Sequence, residues 1–351
     1  MNAQEIALKG FAGADIQACA RKVLDKFDGA PSIEAMREGA KVCLYGINSP
    51  MVSPGAHPDT ADDIAAKEEA KANARRSADL KPEERKQLID NALKASKKYF
   101  GLEGPKAFLE TLLNEGRIDR FRSTVPPPDG HVEQSEWDGE NIAALGDQGC
   151  GKTTFIREVV HPILFATGKV VTDYYEETSF TKLEGGAYGK AGENAQGFVD
   201  RVRDGFGMLD ESHKLHPDSE HVSPYREEVV EALIPALENN RRGTIIALLG
   251  YPEQMLFALE KADSGLLSRL PYPLFFECPP LHVLTDMAFD KAGRFGGFRI
   301  EPESRERVEQ AIQDAAKLPG FAYGRSVRSL VKGWIGNLND RLSKLDLTEE
   351  T

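Results

Sequence analysis

A chain of 351 residues allows about two domains at roughly 150 residues each, and 40% hydrophobic with 28% charged residues supports a sizeable core and excludes disorder throughout. Lys and Arg number 44 against 56 Asp and Glu, a formal charge of −12, which argues against wholesale polyanion binding and leaves room only for a local basic pore. The N-terminus, MNAQEIALKG, carries Glu5 and no apolar core, so no signal peptide is expected. The longest apolar run, Ile245–Leu249, falls far short of the about 20 residues a membrane span needs. Cys19, Cys43, Cys150 and Cys278 show no CxxC spacing, against a disulfide framework or zinc ribbon, and the expectation is a soluble cytoplasmic protein.

Apolar residues first recur at helical spacing in Ile16–Phe27 and Ala35–Leu44. Residues 49–60, rich in Pro, Gly and Ser, read as a linker, and a charged, Ala-rich segment follows over Asp62–Ala78. Pro82 suits the first position of a helix reaching Tyr99. The ten basic and eight acidic residues of Asp62–Lys98 read as a solvated helical surface. No tetratricopeptide pattern of spaced Trp, Leu-Gly and Tyr is present.

Beyond residue 100, β-prone runs alternate with helical stretches: Ile142–Leu145, Lys169–Tyr174, Phe206–Leu209, Thr244–Leu249 and Leu274–Glu277. That rhythm predicts parallel strands joined by crossover helices. Pro126–Pro128 form a loop before the first strand, Pro235 predicts a kink or interruption in the helical Glu227–Asn239, and the pattern from Leu281 onward is helical only.

Two motifs carry chemistry. Gly146-Asp147-Gln148-Gly149-Cys150-Gly151-Lys152-Thr153 is a G-x4-G-K-T between an apolar strand and the helix-like Thr154–Val160. Its glycines let backbone N–H groups curl around phosphates at a helix N-terminus. Lys152 is then expected to reach the β and γ phosphates of ATP, Thr153 to ligate Mg²⁺, and Thr154 to complete the nucleotide-binding run. Phe206-Gly207-Met208-Leu209-Asp210-Glu211 places two carboxylates at the C-terminal edge of a strand, where α/β sheets bind ligands. Asp210 is expected to hold Mg²⁺ and Glu211 to polarise the attacking water, which favours hydrolysis over transfer to a bound acceptor.

On these motifs, in this order, the chain resembles the CbxX/CfqX family of AAA+ ATPases, with the two motifs as Walker A and Walker B. Ala232–Asn240, Ile246 to Met255 (IALLGYPEQM), Gly265-Leu266-Leu267-Ser268-Arg269, Pro319-Gly320-Phe321 and Gly324-Arg325-Ser326-Val327-Arg328 match as well, as does the opening Gly101-Leu102-Glu103-Gly104-Pro105-Lys106. The resemblance covers about residues 100–345 and does not reach residues 1–90. It implies an α/β fold, an AAA+ P-loop NTPase with a five-stranded parallel sheet between helices. The implied domains are a helical N-terminal extension over 1–90 for client or adaptor recognition, the nucleotide-binding domain over 91–280, and a helical lid over 281–351. It implies further that Arg269 is the arginine finger serving a neighbouring subunit, that Arg325 is the lid arginine with Arg328 its competitor, and that Tyr188, in Gly185-Gly186-Ala187-Tyr188-Gly189, is the pore-loop aromatic.

The sequence departs from the family at four places. Gln148 replaces the usual Pro, Cys150 the usual Thr, and Leu267 an Arg. No Asn ends the fourth strand, where Tyr251 or a nearby group is left for the sensing role. Cys150, beside Lys152 and a helix N-terminus, is either a tolerated small residue or a redox-sensitive thiol. His213, His216 and His221 read as solvated loop histidines. The resemblance thus implies an ATP hydrolase working with Mg²⁺ in a homo-oligomeric ring, a hexamer, that remodels a protein client by pore threading, as red-type rubisco activators and type VII secretion ATPases act on proteins. A nucleic-acid-acting loader and a nucleotide-gated scaffold are the alternatives; net charge disfavours the first and Glu211 with Arg269 the second.

Overall fold

The computed structural model describes residues 59–99, 102–124, 141–184, 189–215, 225–238, 243–262, 270, 272–295 and 298–342. The helices expected at Ile16–Phe27 and Ala35–Leu44 and the loop at Pro126–Pro128 lie outside these residues. Two compact units emerge. One joins the described residues up to Asp147 with Gly151–Glu277, and the other joins Gln148–Cys150 with the residues from Cys278 onward.

The first unit is built on five strands: β1 (Ile142–Gly146), β2 (Tyr175–Ser179), β3 (Phe206–Asp210), β4 (Ile245–Gly250) and β5 (Tyr272–Phe276). All pairs are parallel and the order is β2-β3-β4-β1-β5. Strands β1 and β4 are buried throughout and β3 up to its last residue, as expected of strands covered on both faces, whereas the edge strands alternate between buried and open. Buried Asn141 stitches the start of the sheet, donating to Leu237 O at 3.2 Å and accepting from Ile246 N–H at 3.1 Å. The chain leaves β1 for the far edge and returns strand by strand, so the order reverses beside β1 and opens a crevice at the C-terminal strand ends. Register brings those ends together, with Leu145 opposite Gly250 and Leu209 opposite Leu248.

Helices α1 (Ala61–Ala72), α2 (Pro82–Ser96) and α3 (Glu103–Thr124) precede β1. Thr60 and Asp63 cap α1 reciprocally, and Pro82 opens α2 as its sequence position dictates. After β1, α4 (Lys152–Phe155) runs through a π-turn (Ile156–Val160) into α5 (His161–Thr167), a longer helical run than the expected 154–160. Then come α6 (Phe180–Glu184), α7 (Lys190–Val202), α8 (Arg226–Glu238) and α9 (Pro252–Ala262). Helix α7 buries Ala191, Ala195, Phe198 and Val202, one face at helical spacing, in a cluster with Val229, Leu233 and Leu237 of α8 and Ile246 of β4. The second unit holds α10 (Leu281–Arg294), α11 (Arg305–Ala316) and α12 (Tyr323–Leu342), packed around Trp334, Val331, Ile312 and Ala288.

Four expectations need correction. The strand expected at Lys169–Tyr174 forms instead just after it, because Val170 and Thr172 make only isolated bridges while the sheet pairs Tyr175–Ser179 with β3. Helix α8 continues through Pro235 without interruption. The boundary drawn at residue 90 falls inside α2, and α1 and α2 both group with the unit that holds the sheet. The charged surface of Asp62–Lys98 is partly docked: Lys67 reaches Glu176 at 3.0 Å, Lys71 reaches Asp200 O at 2.6 Å, and Arg85 caps Ala166 O.

Candidate functional site

The G-x4-G-K-T segment joins the end of β1 to α4, with Gly151 as N-cap in the left-handed region at φ +95°. Lys152 is buried, and its Nζ donates to Gly146 O at 2.6 Å and Asp147 O at 2.9 Å, so the ammonium points into the loop. It also lies 5.8 Å from the centroid of the Tyr251 ring, at the end of β4. Tyr99 is a neighbour that motif spacing did not single out. A Cβ on Gly151 would meet its ring at 3.8 Å, its edge packs on Phe155 at 5.3 Å, and its hydroxyl donates to Glu158 at 2.9 Å. The only hint of it in the sequence was an aromatic just ahead of Gly101-Leu102.

The end of β3 faces this loop. Thr153 Oγ1 lies 3.5 Å from Asp210 Oδ2, and Asp210 Oδ1 accepts the Glu211 N–H at 2.8 Å. A hydroxyl and a carboxylate so placed are the hard oxygen donors that suit Mg²⁺, so the residues fit the ion that the motif implies. Glu211 sits at φ +59°, a backbone region that non-glycine residues seldom occupy. Its Oε2 accepts from Thr181 Oγ1 at 2.7 Å and from Lys214 Nζ at 3.1 Å. Burial alone would push its carboxyl up, but those two hydrogen bonds and the Lys214 charge bring it below the usual carboxylate range.

His213 corrects the expectation of solvated histidines. Its ring packs at 4.5 Å on Tyr251, its Nδ1 is buried with no partner among the described residues, and burial pushes its imidazole below the usual range against the pull of Glu211 and Asp210. Tyr251 therefore touches both Lys152 and His213, a convergence that no local motif announced. His216 and His221 lie outside the described residues, as do Arg269 and Tyr188. Just after Tyr188, the Gly189 N–H donates to Glu228 at 3.0 and 3.1 Å and the Gly192 N–H at 3.2 Å, which ties the start of α7 to α8.

In the second unit Arg325 and Arg328 are exposed on α12. Gly149, which clusters with this unit, accepts the Gly324 N–H at 3.2 Å, and a Cβ on it would collide with the Ala322 carbonyl. Cys150 is buried. Among the described residues no group of three or more His, Cys, Asp or Glu could hold a metal ion, and no helix is long and apolar enough to cross a membrane.

The crevice at the strand ends, the glycine loop and the acidic pair give the α/β sheet of the first unit the pattern of a P-loop fold. Residues 142–269 match the ATPase family associated with various cellular activities (AAA), so the fold is that of an AAA domain. The chain is similar to protein CfxQ of Xanthobacter flavus, with 25% identity over 54% of this chain and 58% of that protein. It is similar also to protein CbbX of Cereibacter sphaeroides, at 26% over 54% and 60%. A third relative is the chloroplastic ribulose bisphosphate carboxylase/oxygenase activase of Cyanidioschyzon merolae, at 27% over 54% and 64%. The chain thus spans about 60% of the length of these relatives.

Proposed function

We propose that the chain binds ATP with Mg²⁺ and hydrolyses it as one subunit of a cytoplasmic homo-oligomeric ring, a hexamer, that remodels a protein client. The observation that carries this reading is the meeting of Lys152, Thr153, Asp210 and Glu211 at the C-terminal ends of β1 and β3. ATP phosphates entering the loop compete with the Gly146 and Asp147 carbonyls for the Lys152 ammonium, while the backbone N–H groups of Gln148–Thr154 surround the phosphate oxygens. Thr153 and Asp210 hold the magnesium ion, which when bound neutralises phosphate charge.

Glu211 accepts a proton from water as the water oxygen bonds to the γ-phosphorus; the bond to the β,γ-bridging oxygen breaks, and ADP and inorganic phosphate leave. A neighbour's Arg269 stabilises charge on the transferred group and Arg325 or Arg328 reports on it from α12. Tyr188 grips the client. One relative is named as an activase of ribulose bisphosphate carboxylase/oxygenase, itself a protein, which supports a protein client for this chain too.

The test is ATP turnover per subunit as protein concentration rises, with Glu211→Gln as the blank. Turnover that climbs and levels off, and falls when Arg269→Ala subunits are mixed in, supports a shared site in a ring. A measurable rate that Arg269→Ala subunits leave untouched refutes the shared site, and a rate no higher than the blank refutes hydrolysis.

A further inference from the structure

Three segments of the first unit meet at Tyr251. Strand β4 ends at Gly250 and α9 begins at Pro252, so Tyr251 is the one residue between them. Its carbonyl accepts the Met255 N–H at 2.8 Å, which ties its backbone to the first turn of α9. Gly250 lets the turn after β3 come close: a Cβ there would stand 3.0 Å from the His213 backbone nitrogen and 3.1 Å from Met255 Sδ. That turn is itself pinned, because buried Ser212 donates from Oγ to Leu209 O at 2.8 Å and the Lys214 N–H donates to Glu211 O at 2.9 Å. The His213 and Tyr251 rings then lie 4.5 Å apart with their planes at 46°. The third segment is the phosphate loop, whose Lys152 Nζ stands 5.8 Å from the Tyr251 centroid while donating to Gly146 O and Asp147 O.

The chemistry of a buried ammonium explains why a ring belongs there. Removing such a charge from water is costly unless the protein offers it electron-rich partners. Two carbonyls do so, and the negative face of an aromatic ring attracts a cation within about 6 Å. A carboxylate in the same place would form a charge-assisted bond that phosphate oxygens would have to break. The ring attracts without claiming an N–H, so the ammonium can pass to an incoming phosphate. His213 helps by staying neutral. Burial lowers its imidazole below the usual range, the charges of Lys214 and Lys152 act in the same sense, and Glu211 and Asp210 oppose them. A neutral imidazole packs on Tyr251 and limits its rotation without bringing a second cation to the ring.

We propose that Tyr251 is a positioning residue for Lys152: the face of its ring, propped by His213, keeps the ammonium at the mouth of the phosphate loop before nucleotide arrives. The proposal rests on the reading of Lys152 as a phosphate ligand. The task belongs to the ring face and not to the hydroxyl, so phenylalanine at position 251 performs it and an aliphatic side chain does not. Once nucleotide is bound, its phosphates hold Lys152 and the ring matters less. The loss on removing the ring therefore falls on affinity and KM more than on kcat.

The experiment uses the full chain and the variants Tyr251→Leu, Tyr251→Phe, His213→Ala, His213→Phe, Lys152→Met and the double Lys152→Met/Tyr251→Leu. Affinities for a fluorescent ATP analogue and for ADP are measured by titration, with KM and kcat for ATP and the midpoint of thermal unfolding alongside. Tyr251→Leu is expected to weaken both affinities about three- to tenfold and to raise KM in step. Tyr251→Phe stays within about twofold of wild type, because the ring face is kept. His213→Ala weakens binding about two- to threefold and His213→Phe restores it, since a ring again props Tyr251. In the Lys152→Met background Tyr251→Leu adds nothing, because the ammonium it served is gone.

Equal losses in Tyr251→Leu and Tyr251→Phe would assign the effect to the hydroxyl and overturn the proposal. So would wild-type affinity in Tyr251→Leu. A loss that persists undiminished in the Lys152→Met background, or that is matched by a lower unfolding midpoint in Tyr251→Leu alone, would make Tyr251 a packing residue and nothing more. If the wild-type chain binds neither the ATP analogue nor ADP, the reading of Lys152 as a phosphate ligand falls first and takes this inference with it.

Discussion

His161 offers a test of the core that does not depend on function. It follows the π-turn at the start of α5, with its ring 5.2 Å from Tyr175 and 5.5 Å from Phe206, and its Nε2 is buried without a partner among the described residues. Burial lowers its pKa to about 4 from an ordinary 6.5, against a weak opposing pull from Asp173. A base with a depressed folded-state pKa stays neutral in the fold while the unfolded chain takes up the proton. Its contribution is therefore complete above pH 6.5, is lost as pH falls, and stops changing below about pH 4. The whole loss is about 3 kcal/mol, and about 2 kcal/mol of it falls between pH 7 and pH 5. His161→Phe fills a similar volume between the same rings and removes both the titration and the orphaned nitrogen. Urea unfolding followed by circular dichroism at pH 7 and pH 5, on wild type and variant, isolates the effect from other titrating groups. The stability lost on acidification should be about 2 kcal/mol smaller in His161→Phe, with stability at pH 7 equal or slightly higher. An equal loss in both chains would refute the argument that burial holds this imidazole neutral.

Other outcomes follow from named contacts. Arg201→Met leaves the buried Glu176 carboxylate with Lys67 as its remaining charged partner and should cost about 3 kcal/mol in the same urea assay. Thr60→Ala removes the reciprocal cap with Asp63 and should fray α1 at a cost of about 1 kcal/mol, read as faster amide exchange over Ala61–Ile64. Trp334→Ala, which empties the centre of the second unit, should cost about 4 kcal/mol there, seen as a lower melting transition.

What the sequence disclosed depended on how far apart the cooperating residues lie. The central strands were legible because burial on both faces demands unbroken apolar runs, and Ile142–Gly146 and Ile245–Gly250 supply them. The edge strand β2 was not. Its sequence, Tyr-Glu-Glu-Thr-Ser, looks like a surface turn, whereas the apolar-leaning Lys169–Tyr174 just before it looks like a strand. Glu176 is buried there only because Arg201, 25 residues on, and Lys67, 109 residues back, neutralise it. No periodicity in a short window carries that information. Pro235 misled for a related reason: packing of Val229, Leu233 and Leu237 against the core keeps α8 helical past a residue whose local preference is to break it.

The site divides along the same line. Lys152, Thr153, Asp210 and Glu211 each belong to a short motif whose spacing is dictated by a phosphate chain and a metal ion, so their types could be read directly. The groups that set the behaviour of those residues have no such spacing. Thr181 is 30 residues from Glu211, and its neighbours Phe180 and Leu183 give it the look of a core helix. His213 stands in a polar run, and its ring is half-buried against Tyr251, at the end of another strand. A motif thus names the atoms that meet the substrate, while the fold decides how freely they move. In this chain Glu211 is met by Thr181 from α6 and by Lys214, at 2.7 and 3.1 Å.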